Sequence, residues 1–470
     1  MGNKGRIVVF ISLMTMVFMI LISFALRVVV QSVAASKADI TGFYATENIK
    51  SYYNSYIFEQ YHILLFDRNA NGRGEGYWEE MVEKYCQSNL GKGYKNIEAA
   101  STQYMLLMEN DCEAFRSQVQ DVMADAIAKR IVRVGADRIR EITNGKDGSL
   151  SQEEEREFDV QAEEADETSK DEEKSDSDFA QDPREITQKM SSQGILLYVL
   201  PDGRTLSQKE IQDQSLPSGL NGKNEDDYIE PDRNFQEKNR LKQDVKGIGK
   251  WAQELEEQAL LTAYGQWVFA SFCNSKGDET VLEYEQEYLI AGHKRDEDNL
   301  KSVVHQIIGI RLPLNYMSLR KDPQKQQQIL SLATSIAGIF PEAIPVLKLL
   351  LTGAWSYIES VVDAKALLAG KRVAFLKDAT TWKTELASLS DSMQKEPRDD
   401  PKGITYSEYL IILMSLRGEK LPYRMLDLMQ VNTQIKQPQF YMKDAAVGYG
   451  VDVQSDYMGT TYYQHYETKY

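Results

Sequence analysis

The densest set of chemically capable side chains is Glu283-Tyr284-Glu285-Gln286-Glu287-Tyr288, followed by His293 and by Asp296-Glu297-Asp298. Read as an extended segment, it turns Leu282, Tyr284, Tyr288 and Ile290 to one face and Glu283, Glu285 and Glu287 to the other. A carboxylate row of this kind could hold a metal or supply the acid/base pair of a hydrolase. A sheet edge whose glutamates meet solvent produces the same pattern. No histidine or second ligand cluster is spaced to join the three. The expectation is therefore a strand over 281–290 with an exposed, non-catalytic glutamate row and buried tyrosines. His293, followed by Lys294 and Arg295, reads as solvent-facing.

A second constellation is Asp67-Arg68-Asn69-Ala70-Asn71-Gly72-Arg73-Gly74-Glu75. Its first six positions match the opening of an EF-hand loop, with oxygen ligands alternating and a glycine at the sharp turn. The match then fails, because Trp78 stands where the bidentate glutamate belongs and Glu79 comes one place late. A polar turn between helices is the commoner use of Asn and Gly. Asp67, Asn69, Asn71 and Glu75 are thus weak calcium candidates, and no other cofactor is expected. The three cysteines, Cys86, Cys112 and Cys273, form no C-x-x-C, and only four histidines accompany them, so a structural zinc site has almost no support. Cys86 could pair with Cys112, leaving Cys273 over; three free, buried thiols is the preferred expectation. G-x-S-x-G, Walker A, G-x-G-x-x-G and H-E-x-x-H are all absent from the sequence, and no catalytic residue is assigned.

The elements that must carry these residues begin with an anchor. Ile7–Leu26 is a run of 20 residues without a charge, interrupted only by Ser12, Thr15 and Ser23. As a helix it covers about 30 Å, the thickness of a bilayer's hydrocarbon core. Small residues near Ser32–Ser36 could serve a signal peptidase, but the run exceeds an ordinary signal-peptide core of about 7–15 residues. An uncleaved, single-pass helix over 7–30 is expected, behind a tail of residues 1–6 holding Lys4 and Arg6 on the cytoplasmic side. Ile49, Tyr52, Tyr53, Tyr56, Ile57, Tyr61 and Leu64 then recur at helical spacing, so a helical stalk should open an ectodomain part over 31–145. A further helix is expected from Glu113 to Ile142.

At 470 residues the chain needs more than one packing unit. Its net charge of −17 argues against a nucleic-acid partner. The acidity is local: residues 151–180 hold 14 Asp/Glu against 3 Lys/Arg, a balance of −11. Residues 146–182 are accordingly read as a disordered acidic linker, and 221–239 as a second polar loop. The remainder, 183–470, should be a helix-rich ectodomain with strands near 195–200, 281–290 and 440–466. Ile329–Trp355 is apolar, but Pro341, Glu342, Pro345 and Lys348 break it into two buried helices rather than a second span. The fold class is α+β, mainly α.

Several stretches resemble a family of Gram-positive bacterial membrane proteins that is itself similar to Tad (tight adherence) minor pseudopilins. They are Lys4–Leu13, Glu59–Asp67, Gly194–Ser207, Leu282–Gly292 and Asp298–Lys301, then Ile310-Arg311 with Asn315. Trp355, Glu359 and Asp363, Leu376-Lys377 with Trp382, Tyr406–Leu410 and Arg424–Gln430 complete the set. The resemblance implies a cell-membrane protein with most of its chain outside the cytoplasm, and pilus or secretion-apparatus partners. Prepilins are cut after a glycine and carry glutamate at the fifth mature position. A cut after Gly5 would put Phe10 there, which fits an accessory component better than a shaft subunit. The competing expectations are a tethered hydrolase using Glu283, Glu285 and Glu287, and a surface ligand-binding ectodomain.

Overall fold

A computed structural model describes residues 3–74, 76–123, 181–212, 215–219, 247–276 and 279–470. The chain divides into two compact units, one of residues 1–118 with 429–470 and one of residues 119–428. The chain therefore leaves the first unit and returns to it, whereas a division at the acidic segment would have placed everything after 183 together. Residues 151–180, residues 221–239 and the helix expected beyond Met123 lie outside the described residues.

In the first unit, helix α1 (Asn3–Glu47) is followed by a 3-10 turn (Asn48–Tyr52) and by helix α2 (Ser55–Tyr61). The stalk is thus a long helix and a short one. Asn54 makes the break: it leaves the helical region at ψ 103° and its side chain caps α2 by accepting from the Ile57 amide. Strand β1 (Phe66–Asp67), helix α3 (Gly76–Leu90), strand β2 (Tyr94–Leu106) and helix α4 (Glu109–Met123) come next. Asn110, Asp111 and Cys112 hold left-handed backbone, so the regular part of α4 begins near Glu113, where the sequence places it. The C-terminal strands β3 (Ala445–Tyr457) and β4 (Thr460–Lys469) close an antiparallel sheet with β3 at its centre. Strand β3 lies within the region expected to be β, 440–466, and β4 begins in it and runs on to Lys469.

The two halves of α1 meet different surroundings. Its N-terminal half is long and apolar enough to cross a membrane, and no other part of the described chain covers it. Its C-terminal half buries Ala34, Ala38 and Ala45 in a core with Trp78, Val82, Cys86 and Leu90 of α3 and Tyr449, Val451 and Tyr466 of the sheet. Small residues allow the close approach. A Cβ on Gly42 would fall 2.5 Å from the Tyr466 ring. Along this contact β4 runs beside α1, with Tyr462 donating to the Gln31 carbonyl, Tyr466 to that of Asp39, and Thr468 to the Glu47 carboxylate.

Among the described residues, the regular elements of the second unit are all helices. Helices α5 (Pro183–Gln193), α6 (Leu196–Val199), α7 (Gly247–Val268) and α8 (Glu285–Ala291) precede the long pair α9 (Asp296–Lys321) and α11 (Ile344–Leu368), joined through α10 (Pro323–Ala337). Helices α12 (Leu389–Gln394), α13 (Tyr406–Ser415) and α14 (Lys420–Gln434) follow. The break at Phe340-Pro341 is as expected: Gly338 ends α10 and Pro341 opens a 3-10 turn. Two expected strands are corrected. Residues 195–200 contain the short helix α6, stopped by Pro201, and 285–291 form α8. The first is a short apolar run, for which periodicity cannot separate strand from helix, and the second alternates glutamate with tyrosine as a strand would while being buried throughout Glu285–Ile290.

Candidate functional site

The glutamate row is not a wet strand face. Glu285 and Glu287 are 1% and 0% exposed, and only Glu283 reaches solvent, beside Lys209 at 3.6 Å. Helix α8 is buried on all sides, so its polar side chains must find partners within the chain. They find the segment that follows α7. Glu285 accepts the Ala270 amide at 2.7 Å, and Gln286 donates to the Phe269 carbonyl at 2.7 Å. Glu287 accepts the Phe272 amide at 3.0 Å and the Tyr406 hydroxyl at 2.7 Å. Consecutive side chains thus splint a backbone turn whose own pairing is a single bridge between Ser271 and Asn274.

Asp296 performs the same service upstream. It accepts the amides of Glu283 and Tyr284 and the Ser207 hydroxyl, while the Tyr284 hydroxyl accepts the Ser207 amide. Tyr284 and Tyr288 are buried as expected, and the Tyr288 hydroxyl donates to Asp427 at 2.8 Å. Arg424 donates to the carbonyls of Leu289 and Ile290, its guanidinium lying against Gly292, where a Cβ would fall 2.5 Å away. Burial pushes Glu287 up to about 7 and Asp427 up to about 6, against the hydrogen bonds that favour their ionised forms. His293 anchors a turn through its backbone, which Asn299 brackets at 2.8 Å on both sides.

A second buried cluster, between α9 and α11, was not assembled from the sequence. Arg311 and Asn315 on α9 are one helical turn apart, as are Glu359 and Asp363 on α11, so each pair shares a face. The Arg311 guanidinium donates to Asp363 at 3.0 Å, to Asn315 at 3.1 Å and to the Phe375 carbonyl at 2.9 Å. Lys377 pairs with both Glu359 and Asp363, and Lys383 stands 3.3 Å from Asp363. Glu359 also accepts the amides of Lys383 and Thr384, both at 2.9 Å. Burial alone would raise Asp363, but Lys377, Arg311 and Lys383 outweigh it and hold this carboxyl well below its usual range. The signal available in the sequence was the placing of charged residues at one-turn spacing inside otherwise apolar helices.

Of the calcium candidates, Asp67 ends β1 and turns both carboxylate oxygens onto its own loop, accepting the Asn69 amide at 2.9 Å and the Asn71 amide at 2.6 Å. Asn71 and Gly72 hold left-handed backbone, as a tight polar turn requires. Glu75 lies outside the described residues. Among the described residues no group of three or more His, Cys, Asp or Glu side chains is placed to hold a metal ion. Cys86, Cys112 and Cys273 are free thiols, and burial pushes Cys86 up to about 11 and Cys273 up to about 12.

Fold and site together define an α+β, mainly α protein: an apolar helix leading into a helix-on-sheet unit, and a helical unit wired by buried ions. Residues 170–457 match a family of unknown function (DUF5702), and the chain belongs to that family. No curated protein and no solved structure matches it. Within the second unit, Glu285, Glu287, Arg311, Asn315, Glu359, Asp363, Lys377 and Asp427 are buried members of these two clusters.

Proposed function

We propose that the chain is a membrane-anchored structural or accessory component of a Tad-like pilus or secretion apparatus, with its bulk outside the cytoplasm and no catalysis of its own. The observation that carries this reading is the division of α1 into a bare apolar half and a half packed on an antiparallel sheet. A bilayer is the solvent that suits the first half, since an apolar helix of this length leaves no backbone polar group unpaired there. The packed half still presents Val33, Ile40, Phe43 and Tyr44 outward. Continuing the apolar surface beyond the anchor, these side chains offer a seat for another subunit's helix. The buried carboxylates support a scaffold rather than a hydrolase, because Glu285 and Glu287 are committed to backbone amides of their own unit.

Deleting the chain from the cell that makes it should stop assembly or export by the apparatus, and a full-length copy should restore it. The restored chain should co-purify with apparatus components from detergent-solubilised membranes. Normal assembly without the chain would sink the proposal.

A further inference from the structure

We propose that the outer edge of β4 is a docking site for an extended segment of another protein, added to the sheet as a further strand. The two edges of this sheet are treated differently by the sequence. Along β2 the register slips three times, between Lys95 and Glu98, Ser101 and Gln103, and Met105 and Leu106. Its outward amides are also capped: Ala99 donates to Glu83, Ser101 to Glu79 and Leu106 to Glu109. Irregular register and occupied donors are how proteins close an edge to unwanted pairing.

Strand β4 has neither protection. It pairs with β3 without a slip from Tyr457↔Thr460 to Gly448↔Lys469. Met458 and Gly459, at φ 48° and 77°, form the two-residue turn, which makes Tyr457 and Thr460 the hydrogen-bonded closing pair. Even-numbered residues therefore bond to β3, and the Tyr470 amide continues that parity by donating to the Val447 carbonyl. Thr461, Tyr463, His465, Glu467 and Lys469 turn their amides and carbonyls away from the sheet. Among the described residues no group bonds those amides. Their side chains are exposed.

Charge and direction select the occupant. Gly450 lies between Gln103 of β2 and Glu467 of β4, and with no side chain there the two meet at 2.7 Å. Asp452 and Glu467 both hold His465, at 2.7 and 3.2 Å. Two positions apart on the outward row, Glu467 and Lys469 carry opposite charges, and a strand with Lys or Arg opposite Glu467 and Asp or Glu opposite Lys469 complements them. A second copy paired antiparallel is a poor occupant. Because β4 runs beside α1 in the same direction, antiparallel pairing of two β4 strands would point their anchors in opposite directions, which one bilayer cannot accommodate. That exclusion alone rests on the membrane reading.

A random nonapeptide library displayed on phage, selected against the full chain in detergent micelles, tests the site. Selected peptides should alternate in side-chain type and fix a basic residue at one position. His465→Pro and Tyr463→Pro each remove an outward amide that the sheet does not use, and should weaken binding of the selected peptides at least ten-fold. Glu467→Lys, which leaves the backbone alone, should convert the basic preference to an acidic one. Absence of enrichment, or equal binding to the proline and Glu467→Lys variants, overturns the proposal. Self-association of the chain that His465→Pro abolishes would overturn it too, by making a second copy the occupant.

Discussion

Asp363 is the residue on which the interior of the helical unit turns. One carboxylate faces Arg311, Lys377 and Lys383, with both of its partners in the closest ion pairs fully buried. Removing one member of such a cluster leaves uncompensated buried charge, so Asp363→Asn should destabilise the unit by about 3–5 kcal/mol. Denaturant unfolding of the full chain measures it; a loss within 0.5 kcal/mol, typical of surface changes, would contradict the account. Glu287 makes the opposite kind of prediction. Its folded value, pushed up to about 7 from an ordinary 4.5, means the native state holds its proton more tightly than the unfolded chain. The resulting stability is fully present below about pH 4.5 and is lost as pH rises through about 7, a change on the order of 3 kcal/mol. Thermal melts between pH 5 and 8 should show this fall, and Glu287→Gln should flatten it. An unchanged profile in that variant would assign the pH dependence elsewhere.

At the scale of elements, what could be read from the sequence depended on whether a residue's environment was one-sided. The long apolar N-terminal helix, the start of α4 at Glu113 and the break at Phe340-Pro341 follow from local chemistry: charge-free length, apolar spacing and proline. Strands β3 and β4 follow from alternating aromatic and β-branched residues. Helix α8 was misread because its glutamates and tyrosines alternate as a half-wet strand would, while the residues that satisfy Glu285 and Glu287 lie in the turn after α7 and, for Tyr406, over a hundred positions downstream. The sequence did contain a helix signal, Gly292, which takes φ 75° and caps α8 by donating to the Tyr288 carbonyl. The Arg311–Asp363 cluster was beyond reach for the same reason: helical spacing shows each pair, but not that the two helices face one another. Close packing of α1 on β4 yields a test of its own. Gly42→Leu would drive a side chain into the Tyr466 ring and should cost about 1–3 kcal/mol by overpacking. A melting temperature unchanged by that substitution would mean that the helix does not lie where the structure puts it.

For the whole molecule, the account rests on α1 being an anchor rather than a core helix or a removed leader. Replacing Met16 and Ile20 with arginine should cost about 2.5–3.5 kcal/mol each for insertion and release the chain from membranes. The family match, residues 170–457, takes in most of the helical unit and β3 but not the apolar N-terminal helix, so the membrane reading stands on the chemistry of residues 7–26 and on the bare surface of that helix. The most direct test is protease treatment of intact protoplasts making the chain with a C-terminal tag, followed by carbonate washing of the membranes and intact-mass analysis. The account predicts that the tag is digested from outside in treated protoplasts, and that the undigested chain pellets with the membranes and retains residues 7–26. A protected tag, a chain released by carbonate, or a mature mass beginning near Ser36 would contradict it.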